Sequence, residues 1–235
     1  MTATLRANPI CVALDFDDPA RVREIADATS DHVGIFKIGL TAYTTGGPAL
    51  VRDLTSRHPV FLDLKFHDIP AQVGGAVRAA TATGAMYTTV HASGGPAMIA
   101  AAVEAAGHSL TVLAVTVLTS LDDASLDSVG MKGSVRDSVL RLAGLALAAG
   151  ADGLVCSPME VAMLRSEFGA RVDGGPFLVV PGIRAEGESH GDQKRTLSAT
   201  EALAAGADVI VVGRPITAAP DPAGAARRLR EQIGS

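Results

Sequence analysis

Short apolar runs rich in β-branched residues recur along the chain and alternate with longer, alanine-rich stretches of helical period. Eight runs read as strands: Ile10 to Leu14, Gly34 to Ile38, Val60 to Leu64, Met86 to Val90, Leu110 to Thr116, Gly153 to Cys156, Phe177 to Val180 and Val209 to Val212. Between them, apolar positions at helical spacing predict amphipathic helices over 19–29, 43–57, 70–83, 96–106, 135–149, 159–168 and 197–205, with a last one over 222–233. Gly84-Ala85, Gly150-Ala151-Asp152 and Gly206-Ala207-Asp208 stand before three of the strands, where a glycine closes the preceding helix. This alternation predicts a parallel sheet, and eight units in 235 residues predict an α/β chain folded as a closed (β/α)8 TIM barrel, one domain over 1–235. An open, doubly wound sheet is the alternative, but no Gly-x-Gly-x-x-Gly follows the first strand.

Composition narrows the class. Hydrophobic residues make up 48% of the chain and aromatic ones only 3%, with no tryptophan, so the core must be built from Ala, Val, Leu and Ile. A net charge of -5 with no basic run argues against nucleic acid as a partner, since phosphate-backbone binding needs clustered Lys and Arg. Cys11 and Cys156 both fall in apolar runs and read as small hydrophobes. No disulfide framework is implied, so a reducing, cytoplasmic setting is expected. The first ten residues carry no apolar signal core. No apolar run reaches the ~18 residues that a membrane span needs, so no membrane partner is expected.

The candidate chemistry is concentrated in Val60 to Pro70, where a buried strand runs into Asp63, Lys65 and Asp68. Side chains alternate along a strand, which sets Phe61, Asp63 and Lys65 on one face and Leu62 and Leu64 on the other. If the leucines pack under helices, Asp63 and Lys65 point into the barrel. An isolated Asp-x-Lys is also what a structural ion pair looks like. Asp68 and the rigid Ile69-Pro70 step favour a functional reading, because a lysine between two carboxylates is held in its charged form and suits proton donation.

Active sites of such barrels form at the C-terminal ends of the strands. There the first strand ends at Asp15, the second carries Lys37, the fourth ends at His91 and the fifth runs into Thr119-Ser120. Lys37, Asp63, Lys65 and Asp68 are expected to converge on one mouth with Asp15 beside them. Mutual attraction can offset the desolvation of so many charges only within a network. The seventh strand leads into Pro181-Gly182-Ile183-Arg184 and the eighth into Gly213-Arg214-Pro215. Loops after these two strands commonly bind phosphate, glycines letting backbone N–H groups approach the anion while Arg214 supplies the counter-charge. The polar stretch Arg184 to Thr196 reads as a lid with Gln193 as a donor. The six histidines show no metal-binding spacing, so no metal site is expected, and His67 and His91 read as structural or supporting.

Taken together, these residues resemble the orotidine 5'-phosphate decarboxylases of pyrimidine biosynthesis, bacterial type. The likeness runs through Ala13-Leu14-Asp15, Phe36-Lys37-Ile38-Gly39, Asp63 to Pro70, Val115-Thr116, Leu118-Thr119-Ser120, Pro181 to Arg184, Asp192 to Arg195 and Val212 to Ile216. It implies cofactor-free conversion of orotidine 5'-monophosphate to uridine 5'-monophosphate and carbon dioxide. Lys65 would protonate C6, with Lys37, Asp63 and Asp68 completing a charged tetrad. Asp15 and Lys37 would contact the ribose, Thr119 and Ser120 would lie near the base, and Pro181, Arg184, Gln193, Gly213 and Arg214 would line the phosphate end. The resemblance further implies a homodimer in which Asp68 reaches the neighbouring subunit's site. Two positions depart from the family pattern: Ala71-Gln72 replaces Asn-Thr, though Gln72 can still donate a hydrogen bond, and Val117 stands where a glutamine is common.

Rival readings remain on the sequence alone. Metal-dependent sugar-phosphate lyases on a similar barrel share Asp-x-Lys-x-x-Asp, but carry an acidic residue where this chain has Lys37, which removes a ligand and reverses the charge. A Schiff-base aldolase needs a neutral amine, which two carboxylates oppose at Lys65. A nucleotide-binding protein without chemistry has no need of the full tetrad.

Overall fold

Eight parallel strands close into a barrel in the computed structural model, which describes residues 8–183 and 197–234. The strands are β1 (Ile10–Ala13), β2 (Ile35–Ile38), β3 (Val60–Phe66), β4 (Tyr87–His91), β5 (Thr111–Val115), β6 (Gly153–Val155), β7 (Phe177–Val180) and β8 (Val209–Val212). They pair in chain order, and β1 meets β8 through Cys11 opposite Val211 to close the ring. Outside run α1 (Pro19–Thr29), α2 (Leu40–Thr55), α3 (Pro70–Thr81), α4 (Pro96–Ala106), α5 (Asp123–Ser128), α6 (Val135–Ala148), α7 (Val161–Phe168), α8 (Ala199–Ala204), α9 (Arg214–Thr217) and α10 (Pro222–Ile233).

The two-residue period of each strand divides its side chains between two cores. Ile10 and Val12 of β1 and Phe36 and Ile38 of β2 face outward into the layer beneath the helices. Cys11, Ala13, Ile35 and Phe61 face inward with Val179 and Val211. Because both faces are buried, the strands read in sequence as continuous apolar runs. Three of the eight aromatics, Phe61, Tyr87 and Phe177, gather towards the strands' N-terminal ends. Tyr87 stacks on Phe177 at 5.4 Å between ring centroids and meets Phe61 edge-on at 6.1 Å. These rings fill the barrel floor, which leaves the opposite mouth for polar side chains.

Helix starts follow local chemistry. Asp18, Ser134, Ser198 and Asp221 cap α1, α6, α8 and α10 by accepting from backbone N–H groups. Pro19, Pro70, Pro96 and Pro222 open helices in the first turn, where no N–H is needed.

Several boundaries differ from expectation. Helix α2 starts at Leu40 and is interrupted at Gly47, whose φ of 58° breaks the helix just before Pro48. The helix expected over 159–168 opens as a tight turn over Pro158–Glu160, and the one expected over 197–205 begins at Ala199 because Leu197 pairs with Ile183. The short helices α5 and α9 were not expected. The difference that bears on function lies in β3, expected to end at Leu64 but continuing to Phe66. Leu62 lies opposite Thr88, yet Phe66 lies opposite Val90, so four steps along β3 match two along β4. Such a bulge bends a strand and re-aims its side chains.

Candidate active site

A cavity of about 500 Å³ opens where the strands end. Its walls are largely apolar, from Phe61, Val115, Val117, Leu118, Val155, Cys156, Val179, Ile183 and Val211. Four charged side chains, Asp15, Lys37, Asp63 and Lys65, line one side, and Arg214 lines the cavity beside Pro181, Gly182 and Gly213.

Asp63 is the centre of the charged group. Both its oxygens accept from Lys65 Nζ, at 2.9 and 2.8 Å, and Lys37 Nζ stands 3.6 Å from Oδ2. Lys37 Nζ also donates to Asp15 Oδ1 at 3.0 Å. Thr89 Oγ1 donates to Asp63 Oδ1 at 2.8 Å. Exposure is graded along this chain of contacts: the side chains of Asp63, Lys65 and Asp15 are 10%, 28% and 53% exposed. The inner carboxylate is thus fixed while the Lys65 ammonium remains open to the cavity.

Burial alone would raise the Asp63 carboxyl, but the ammoniums of Lys37 and Lys65, with hydrogen bonds from Lys65 and Thr89, hold it below the usual carboxylate range. Burial likewise opposes the charge on Lys37, and the carboxylates of Asp63 and Asp15 outweigh it, raising its pKa. Each charge is maintained by the others. Cys11, sealed beneath the group, is pushed up mainly by burial, which leaves it a small hydrophobe as the sequence implied.

Backbone geometry places the lysine. Lys65 is the only residue other than glycine with positive φ, 51°, among the described residues. This left-handed conformation costs about 1–2 kcal/mol for a side chain with a Cβ. It arises at the β3 bulge and turns the lysine back across Asp63. Its amide N–H donates to Thr89 Oγ1 at 2.8 Å. Just past β2, Gly39 leaves room for the next pair, for an added Cβ would lie 2.5 Å from Asp15 Oδ1 and 3.0 Å from Lys37 Nζ.

At the other end of the cavity, Gly182 has φ 86° and so occupies the region that favours glycine. Gly213 is different, since among the described residues a Cβ there would meet nothing nearer than Ala13 Cβ at 3.9 Å. Packing among the described residues does not demand this glycine, whereas close approach of a ligand to its backbone would. The Arg214 guanidinium has no ion-pair partner among the described residues.

Of the residues singled out in the sequence, Asp15, Lys37, Asp63, Lys65, Thr119, Pro181, Gly213 and Arg214 come together on this cavity. Asp68, Gln72 and Ser120 are exposed and do not line it. The expectation that Asp68 joins the mouth is therefore corrected for the chain taken by itself. Asp68 lies past the end of β3, and its carboxylate accepts from the amide of Ile69 at 2.6 Å. Arg184 and Gln193, and the proposed lid over Arg184 to Thr196, lie outside the described residues. Sequence reasoning missed Thr89. The available signal was a polar residue on the inward face of a buried strand. His67 and His91 pack ring against ring at 5.3 Å near the rim, and burial, then His67 and Lys65, lower the pKa of His91. Among the described residues no group of three or more His, Cys, Asp or Glu could hold a metal ion.

The model of the Orotidine 5'-phosphate decarboxylase / HUMPS family matches residues 8–229. The chain belongs to this family. Among curated relatives, the orotidine 5'-phosphate decarboxylase of Anaeromyxobacter dehalogenans (strain 2CP-1) is 54% identical over 221 residues, covering 94% of this chain and 96% of the relative. That of Thermobifida fusca is 50% identical over 229 residues, covering 97% and 96%. The crystal structure of orotidine 5'-phosphate decarboxylase from Lactobacillus acidophilus superposes with a TM-score of 0.85 at 34% identity, over 97% of this chain and all of that one. Family membership and barrel fold thus agree with the resemblance read from the sequence. No helix among the described residues is long and apolar enough to cross a membrane.

Proposed function

We propose that this protein decarboxylates orotidine 5'-monophosphate to uridine 5'-monophosphate and carbon dioxide, as its relatives' names state for them, in de novo pyrimidine biosynthesis in the cytoplasm. The observation that carries the reading is the Lys65 ammonium, seated on Asp63 at 2.8 Å and open to the cavity, with Lys37 braced between Asp63 and Asp15. In the proposed reaction the bond from C6 to the carboxylate breaks and its electron pair stays on C6. Carbon dioxide leaves, and a proton passes from Lys65 Nζ to C6. The resulting amine then recovers a proton from solvent. No metal or cofactor takes part. The pyrimidine offers no conventional electron sink, so a fixed positive charge beside C6 supplies the stabilisation. Asp63 orients that charge and lies on the side where the substrate carboxylate would sit. Lys37 and Asp15 hold the ribose, and Thr119 contacts the base.

The phosphate is assigned to Gly213 and Arg214 beside Pro181, with Arg184 and Gln193 completing that end. The Arg214 guanidinium, without an ion-pair partner among the described residues, and the glycine that packing among those residues does not require support this. Arg214→Ala is expected to lower kcat/KM on the nucleotide by about 10²- to 10³-fold, as for loss of one partner of a charge-assisted hydrogen bond. Orotidine lacking the phosphate should show almost no such loss, and steady-state kinetics on both substrates checks this. A similar loss on both would remove the phosphate assignment.

Asp68 is assigned to the site of a second copy, in a homodimer. Asp68 forms no ion pair with Lys65 within its own chain, and Ile69, just before α3, and Leu40, at the start of α2, are 63% and 60% exposed. Large apolar side chains beside an unused carboxylate suit a covered surface.

Ultraviolet absorbance of orotidine 5'-phosphate with the purified protein, with and without a chelator, tests the reaction. Rapid chelator-insensitive loss of substrate with matching formation of uridine 5'-phosphate is expected. No turnover by folded protein would redirect attention to metal-dependent sugar phosphates.

A further inference from the structure

Thr89 lies on the inward face of β4 and is fully buried. Its hydroxyl makes two contacts in opposite senses: it accepts from the Lys65 amide at 2.8 Å and donates to Asp63 Oδ1 at 2.8 Å. That same oxygen receives Lys65 Nζ at 2.9 Å. The contacts form a closed loop from the lysine backbone through Thr89 and Asp63 to the lysine side chain. Its neighbour Thr88 serves only the wall, donating to the Leu62 carbonyl on the outward face. Few side chains can complete the loop at Thr89. A hydroxyl both donates and accepts, whereas valine, of nearly the same shape, does neither. The branch at Cβ restricts χ1 and so keeps the oxygen in place.

The loop coincides with the bulge and with the single left-handed residue other than glycine among the described residues, Lys65. We propose that Thr89 is a positioning residue for the reaction, its hydroxyl holding the Lys65 backbone in the left-handed conformation and fixing the rotation of the Asp63 carboxylate. The inference rests on the decarboxylase reading above for its catalytic consequence, though not for its geometry. Without the hydroxyl, Lys65 is free to relax towards extended backbone, and Asp63 loses one of the contacts that set its plane. The ammonium then shifts relative to C6. Thr89 itself does not line the cavity, so substrate affinity should change little.

The experiment compares Thr89→Ser with Thr89→Ala. Both lose the methyl group and only the first keeps the hydroxyl, so their difference isolates the hydrogen bonds from packing. Thr89→Ala should lose about 10²-fold in kcat with KM within about threefold, the effect of displacing a reacting group. Thr89→Ser should stay within about fivefold of wild type, its hydroxyl being less restrained. Amide hydrogen exchange on the intact protein without substrate gives a readout independent of turnover. The Lys65 amide should exchange at least about tenfold faster in Thr89→Ala than in Thr89→Ser, while other β3 and β4 amides remain alike. Equal kcat and equal Lys65 exchange in the two variants would overturn the proposal, as would a rise spread evenly over both strands. If the wild-type protein does not consume orotidine 5'-phosphate, the decarboxylase reading falls. Exchange at Lys65 then decides the positioning role alone, selective loss of protection in Thr89→Ala supporting it and equal exchange overturning it.

Discussion

Lys65→Ala is expected to lower kcat on orotidine 5'-phosphate by about 10⁵-fold, the largest effect of any single substitution in this chain. Two functions leave with the side chain. A positioned proton donor contributes about 10²- to 10⁴-fold, and a preorganised charge beside the developing carbanion about 10²- to 10³-fold. The factors do not simply multiply, because one group performs both. The fold should survive. Asp63 keeps Lys37 at 3.6 Å and the Thr89 hydroxyl at 2.8 Å, so its carboxylate is not stranded. Circular dichroism and thermal melting should therefore match the wild type closely while turnover disappears. Activity within tenfold of wild type would remove Lys65 from the chemistry.

Mixing two inactive proteins, Lys65→Ala and Asp68→Ala, should restore activity once subunits exchange. In a symmetric dimer with crossed contributions, one site of each heterodimer combines native Lys65 with native Asp68. Random exchange at equal amounts places half the chains in heterodimers, each with one intact site, so about a quarter of wild-type activity is expected. The reasoning starts from the position of Asp68. It is exposed, bonded to the next amide and absent from the cavity wall. Were it to act only within its own chain, no mixture could regain activity. Exchange is followed with a mass-tagged subunit, and silence despite proven exchange would return Asp68 to a local role.

The barrel was legible because parallel strands buried on both faces leave continuous apolar runs, and each of the eight expected runs became a strand. The strand-end rule led directly to Asp15, Lys37, Asp63, Lys65 and Arg214, all of which line the cavity. Thr119 was found the same way, but Ser120, one residue further, is exposed. Position at a strand end does not specify which of two adjacent loop side chains turns inward. Break points inside helices were harder to read. The Gly46-Gly47-Pro48 sequence of α2 carries a breaking signal, yet the flanking apolar period is unbroken and masks it.

What the sequence by itself determined is the ring of parallel strands, the face each strand residue takes up to Asp63, and the residue types at the mouth. These follow from a two-residue period and from the cost of burying charge, both local properties. Tertiary structure alone decided how Lys65 is aimed. The bulge depends on β3 being measured against β4, and Thr89 stands 24 residues from Lys65 along the chain. A hydrogen bond across two strands leaves no period in either of them. The separation of Asp68 from Lys65 was likewise decided by three-dimensional arrangement, because three residues of spacing say nothing about the turn the backbone makes between them.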